Sequence, residues 1–186
     1  MKKEYNIKLR ELEVNDLEDY FNLNHPDREY HKYDGPYYPH KSEEALRLFV
    51  QELKAKFING EQHILPNKKL IIDTNAGTIL GQVNWYWKSI ETLWLEVGIV
   101  LYDSTVWGYG IGKSALTLWI NEVFHIHPQI IRIGLSTWSG NLRMIGLAEK
   151  LGMKREACYR KARIVNGAYY DSISYGILKE EWESYI

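Results

Sequence analysis

Cysteine is almost missing: Cys158 is the only one in 186 residues. A lone cysteine excludes an internal disulfide and a multi-cysteine metal site. No apolar run approaches the ~20 residues that cross a bilayer. Neither charge dominates, with 23 Lys and Arg against 24 Asp and Glu. No basic tract stands out, so nucleic-acid or membrane-surface binding lacks electrostatic support. The opening MKKEYNIKLRELE alternates charged and apolar residues and has no signal-peptide core. A soluble, cytoplasmic protein is the expectation. With no repeat, low-complexity segment or clear linker, the length suits a single domain over residues 1–186.

Aromatic residues are plentiful, including 7 Trp and 14 Tyr. Many must fill a core; a cluster with nothing to pack on would line a groove. Tyr5, Ile7 and Leu9 alternate with polar residues and predict a first strand. Asn15 and Asp16 open a helix over NDLEDYFNLN. Residues 25–40 hold three prolines and four tyrosines with little periodicity, which predicts a loop with a short helical turn. Leu46, Phe49, Leu53 and Phe57 recur on one face of a helix from Ser42 to Asn59, closed by Gly60. KKLIIDT, TILGQVNWYWK and ETLWLEVGIVLYD predict three strands. A helix to about Phe124, a strand IIRIGLS and a helix from Asn141 to Leu151 follow. Asn166-Gly167 joins a final hairpin. The fold class is α/β (α+β): a mixed, mostly antiparallel sheet with helices on both faces.

The segment WGYGIGKSAL, Trp107–Leu116, ends like a nucleotide-binding P-loop in Gly-Lys-Ser. That motif needs a glycine five positions before Gly112, where Trp107 stands. A dinucleotide fingerprint needs two residues before its last glycine, and only Ile111 is there. Both patterns fail. What survives is a strand running into a glycine-rich turn and a helix, which exposes backbone N–H groups beside a positive helix end. The alternative is that the glycines only permit a tight turn.

Strand, Trp-Gly-x-Gly-x-Gly, apolar helix, strand, then GNLRMIGLAEKLGMKREA and a closing hairpin: this order resembles the GNAT superfamily of N-acetyltransferases. Trp107 in the first slot of the pyrophosphate loop, and the ending NGAYYDSISYGILKEEW, resemble the RimJ/RimL branch. The resemblance is good from about Leu93 to Trp182, fair from Tyr5 to Asn24 and poor between. It implies acetyl-CoA as co-substrate, no metal, a central strand pair that splays near Gly98, and a primary amine as acceptor. The pyrophosphate would lie on the amides of the loop Trp107, Gly108, Tyr109, Gly110, Ile111, Gly112 and Lys113. The pantetheine arm would run along Ile99, Val100 and Leu101. Asn141 would hydrogen-bond the cofactor, cap its helix, or do both.

Acetyl transfer requires an amine that has lost its proton, and lysine-type amines have a pKa near ~10. Along LWLEVGIVL, Leu93, Leu95, Val97, Ile99 and Leu101 share one face, and Trp94, Glu96 and Gly98 the other. Glu96 is either a base with a raised pKa or a buried acid satisfied by a structural partner; its position in the family favours the base. A backbone N–H near Val97 to Ile99 would serve the oxyanion. The family's acid positions hold Ala148 and Met144, which puts a dedicated general acid in doubt. A thiol of pKa near ~8.5 leaves as thiolate without one. His125 and His127 are expected in a surface turn, Cys158 in core packing, and Asp171 in a structural role.

By resemblance, Tyr30, Tyr33, Tyr37 and Tyr38, with Asp27, Glu29 and Asp34, would shape the acceptor groove opposite Tyr169 and Tyr170. Carboxylates and tyrosine faces suit a cationic amine: a peptide N-terminus, a polyamine or an antibiotic-like amine. A monomer and a homodimer both fit. The alternative function is a non-catalytic acyl-CoA-binding module; a nucleoside-triphosphate enzyme is the weakest reading.

Overall fold

Each run that alternates apolar and polar residues forms a strand, and each longer amphipathic run forms a helix, in a computed structural model that describes residues 4–186. The first three residues of the opening segment lie outside the described ones. In chain order the elements are β1 (Ile7–Arg10), α1 (Leu17–Leu23), α2 (Glu43–Ile58), β2 (Lys68–Asp73), β3 (Ile79–Ser89) and β4 (Trp94–Leu101). Then come α3 (Ile111–Ile126), β5 (Arg132–Trp138), α4 (Leu142–Lys150), β6 (Lys154–Val165), β7 (Ala168–Leu178) and α5 (Lys179–Tyr185). Short 3-10 turns occupy Val14–Asp16, Glu29–Lys32 and Ser104–Val106. The strands order as β1-β2-β3-β4-β5-β7-β6. The β4–β5 pair is parallel, while β1–β2, β5–β7 and β6–β7 are antiparallel. This is the expected mixed, mostly antiparallel architecture.

The chain divides into two compact units. One holds the residues up to Val83 with Val100–Ile111; the other holds Asn84–Ile99 and Gly112–Ile186.

In the first unit the core gathers Leu12, Leu17, Tyr20, Leu53, Leu70 and Ile72, with Phe49 and Phe57 packed against it. The stripe on α2 is therefore its inner face. Ser42 caps that helix by accepting from the Ala45 N–H at 3.1 Å, and Glu43 and Glu44 face the positive helix end. Asp16 accepts two bonds from the Arg10 guanidinium, at 2.6 and 2.8 Å. Burial alone would raise its pKa, but Arg10 and the Glu13 N–H outweigh it and hold the carboxyl below its usual range.

In the second unit β5 and β7 pair along their length, from Arg132↔Leu178 to Trp138↔Ser172. Asn166 and Gly167 have φ of 49° and 78°, the left-handed pair that a two-residue hairpin turn demands. The β6 ladder shifts between Tyr159 and Arg163, and Lys161 turns left-handed at φ 55°. Asp171 Oδ1 accepts the Lys161 N–H there at 2.9 Å. Helix α5 has no counterpart in the sequence reading. Its Trp182 is 1% exposed, donates from Nε1 to Asn121 Oδ1 of α3 at 2.7 Å and stacks on Tyr185.

Three expectations need correction. Leu93 is 38% exposed with φ 55°, because it belongs to the turn before β4 and not to the inner strand face. Cys158 is exposed, because β6 is an end strand; its Sγ lies 3.6 Å from Asp171 Oδ2. His127 is not in an open turn: its ring lies 4.7 Å from that of Trp85 and 5.3 Å from that of Trp87.

Burial holds the His127 imidazole below its ordinary value of 6.5, and burial also lowers His31. As pH falls, the unfolded chain takes up these protons first, so stability present above about pH 6.5 is lost toward the lower folded value. The urea midpoint should fall between pH 7.5 and 5.5, and His127→Gln should flatten that fall. An equal slope in the variant would remove His127 from the effect.

Candidate active site

The first unit contains the end of β4 and most of the glycine loop. Leu101 offers its carbonyl to Trp107 Nε1 at 3.1 Å, and Tyr102 N donates to the Leu80 carbonyl at 3.0 Å. The Trp107 ring also meets Tyr33 edge-on at 5.5 Å. Trp107 therefore props the loop against the strand that feeds it. Gly81 lies so close to β4 that a Cβ there would come within 2.1 Å of the Val100 carbonyl.

Gly108 and Gly110 have φ of 84° and 85°, which branched side chains avoid, yet a Cβ at either would meet nothing within 4 Å. These glycines set the direction of the backbone and leave open space above it. Tyr109 between them is 44% exposed and meets Tyr5 edge-on at 5.7 Å. Ile111 is buried and opens α3, whose first amides lack intrahelical acceptors as in any α-helix.

Of the expected acceptor tyrosines, Tyr30 is 4% exposed and packs on Tyr102 and His31. That burial makes it a core residue, which corrects its assignment to the groove. Tyr37 and Tyr38 meet edge-on at 4.9 Å, and Tyr38 is 59% exposed. Glu29 accepts from the Ser104 hydroxyl at 2.7 Å.

The candidate acid, Glu96, lies in the second unit. Glu96 is 1% exposed. Its Oε2 accepts from the Tyr86 hydroxyl at 2.5 Å and its Oε1 from the Ser136 hydroxyl at 3.0 Å. Lys88 Nζ lies 3.7 Å from Oε1. The register pairs Glu96 with Gly134, whose missing Cβ would sit 3.3 Å from Glu96 Cγ. A carboxylate thus lies at the floor of a sheet face, held by two hydroxyls and an ammonium. The parallel register covers Leu95↔Ile133 and Glu96↔Gly134, and β4 runs on to Leu101 beyond it. Gly98 sits under Asn84, whose Oδ1 would be 2.7 Å from a Cβ there.

In the same unit a Cβ on Gly112 would come 3.2 Å from Leu147 and 4.0 Å from Ile99, so this glycine lets β4, α3 and α4 converge. Asn141 caps α4 by accepting from the Met144 N–H at 3.1 Å. Lys113 is exposed, with Nζ 5.5 Å from the centre of the Tyr185 ring. Ala148 is fully buried. Among the described residues no three His, Cys, Asp or Glu side chains form a metal-binding group.

Sequence reading missed Tyr86, Lys88 and Ser136. Tyr86 and Lys88 alternate on one face of β3 and so carry a signal, but only the register between strands brings them to Glu96.

The profile of the acetyltransferase (GNAT) domain matches residues 6–154. The chain belongs to the GNAT acetyltransferase family. This GNAT domain is 34% identical over 76 residues to YokL of Bacillus subtilis (strain 168), an SPbeta prophage-derived uncharacterized N-acetyltransferase. That match covers 41% of the chain and 42% of the relative's length. Among solved structures, a GNAT-family acetyltransferase from Bacillus anthracis superposes with TM-score 0.73 at 21% identity, covering 96% of this chain and 98% of that one. The spermidine N-acetyltransferase of Vibrio cholerae, solved with CoA and spermine, gives TM-score 0.74 at 22% identity over 95% and 98% of the two chains. At these identities the likeness is one of fold. Among the described residues, no helix of this GNAT domain is long and apolar enough to cross a membrane.

Proposed function

We propose that this GNAT domain transfers acetyl from acetyl-CoA to a primary amine by direct attack, and that it is of the RimJ/RimL type. The observation that carries the reading is the loop: two left-handed glycines with open space above them lead into a 16-residue helix. A strand-to-helix turn of that shape fits a diphosphate. The loop from Gly108 to Lys113 would hold it, with Ile99 to Leu101 beside the pantetheine arm and Asn141 adding a contact besides its cap. The thioester supplies an activated acyl carbon and a leaving sulfur.

The rest falls to the protein. Amides near Val97 to Ile99 would steady the oxyanion, and the Glu96 cluster would take a proton from the amine. With Tyr30 in the core, the acceptor side falls to Tyr33, Tyr37 and Tyr38. Peptide N-termini, polyamines and antibiotic-like amines all remain acceptors to try; the spermidine enzyme of like fold motivates the polyamines. A cytoplasmic monomer or homodimer is the proposed form. One observation favours a non-catalytic acyl-CoA-binding module instead. Where many family members carry an acid tyrosine, this chain has the fully buried Ala148.

The deciding experiment follows free-thiol release from acetyl-CoA across a panel of N-terminal peptides, polyamines and aminoglycosides. Turnover with one class is expected, and Glu96→Gln should lower kcat by roughly 100-fold with acetyl-CoA binding retained. Binding without release across the whole panel would favour the module.

A further inference from the structure

Glu96 is 1% exposed, so an acceptor amine does not reach its carboxylate directly. Tyr86 is 39% exposed and donates its hydroxyl proton to Glu96 Oε2 at 2.5 Å. Both belong to the second unit, and their side chains share one face of the sheet with the exposed Trp94 and Lys88. The other carboxylate oxygen accepts from Ser136, whose hydroxyl lies 3.4 Å from that of Ser174. Glu96 is therefore fixed from below by Ser136, and on its outer side it meets the Tyr86 phenol at Oε2 and the exposed Lys88 ammonium, 3.7 Å from Oε1. A phenol that donates its proton can still accept another at its oxygen.

We propose that Tyr86 is the group that contacts the acceptor amine, passing its proton inward to Glu96; this rests on the acetyltransferase reading above. The acceptor arrives as an ammonium and donates an N–H proton to the Tyr86 oxygen as the phenolic proton moves to Glu96 Oε2. The neutral amine's lone pair then forms the N–C bond at the acetyl carbon. As the adduct collapses, the C–S electron pair leaves on sulfur, and the second proton of the nitrogen ends on that thiolate. Glu96 returns its proton to solvent through Tyr86, so one proton is released per turnover. Because the phenol is returned unchanged, its removal shows in the rate of proton transfer and not in the hold on the thioester.

The test compares wild type, Tyr86→Phe, Glu96→Gln and the double variant at saturating acetyl-CoA and amine. Tyr86→Phe keeps the ring, and its melting temperature shows that it folds. Its kcat should fall at least roughly 10-fold at pH 7 with the KM for acetyl-CoA unchanged. The loss should narrow as pH rises toward the amine's pKa of about 10, where the amine is already neutral. The double variant should be no slower than the slower single one. Full activity, a loss equal at every pH, or multiplying losses would overturn the proposal. If Tyr86→Phe does not fold, 3-fluorotyrosine at 86 decides: its more acidic phenol should displace the acid limb of the kcat profile, and an unmoved limb overturns the proposal. A wild type that releases no thiol with any amine sinks both readings, whereas an active wild type with an unaffected Tyr86→Phe sinks this one alone.

Discussion

Trp182→Ala lowers the unfolding free energy by about 3–5 kcal/mol. The indole is 1% exposed, stacked on Tyr185 with centroids 5.5 Å apart and bonded to Asn121 of α3. Tyr185 in turn donates to the Lys150 carbonyl at the end of α4. Truncation leaves a cavity where α5 ties those two helices, and a gap of that size relaxes only in part. For a chain of this length the melting temperature should drop on the order of 10 °C. Trp182→Phe is the informative partner. It keeps an aromatic stack but loses the N–H and part of the indole's volume. Asn121 lies at the surface where water takes the donor's place, so a loss of about 1–2 kcal/mol, smaller than that of Trp182→Ala, is expected. Calorimetry of both variants checks this; equal losses would mean that the hydrogen bond, not the filled volume, holds α5.

The second large effect is on ligand binding. Gly110→Val should weaken acetyl-CoA binding on the order of 100-fold with little change in melting temperature. The reason is the backbone. At φ 85° a β-branched residue is an outlier, costing well over the 1–2 kcal/mol of an ordinary left-handed residue. The loop then relaxes to another path and its amides turn away. Crowding is not the cause, since a Cβ at Gly110 meets nothing within 4 Å. Gly112→Ala should behave differently. Its backbone is ordinary, and the contact at 3.2 Å is the flexible end of Leu147, so a several-fold effect is expected. Calorimetric titration with acetyl-CoA measures both. Equal affinities for Gly110→Val and wild type would remove the loop from the site.

That contrast also shows how far the sequence could be read. Three alternating glycines marked the loop, but two serve φ and one serves helix contact, and only backbone angles separate those roles. Strands whose apolar residues alternate, a helix capped by Ser42 and a hairpin turned by Asn166-Gly167 follow from local chemistry, so they were legible. Helix α5 was not, because seven residues hold too few turns to show a period. Glu96 was legible as an acid on the wrong face for a core. Its partners were not, since Tyr86 and Ser136 come from strands whose register depends on the whole sheet. The segment from residue 25 to 40 misled for a related reason. Its tyrosines look alike in sequence, yet Tyr30 is buried and Tyr38 exposed.

The shifted ladder of β6 has a consequence for the protein at high concentration. An end strand with free peptide groups invites another chain to add itself and begin a ribbon. This one bears Lys154, Arg155, Arg160, Lys161 and Arg163 among its twelve residues and is kinked at Lys161, which Asp171 pins in place. Like charges would face each other across such a join, and the kink spoils its straightness. Loosening the pin with Asp171→Ala would therefore be felt first as clumping in concentrated solution.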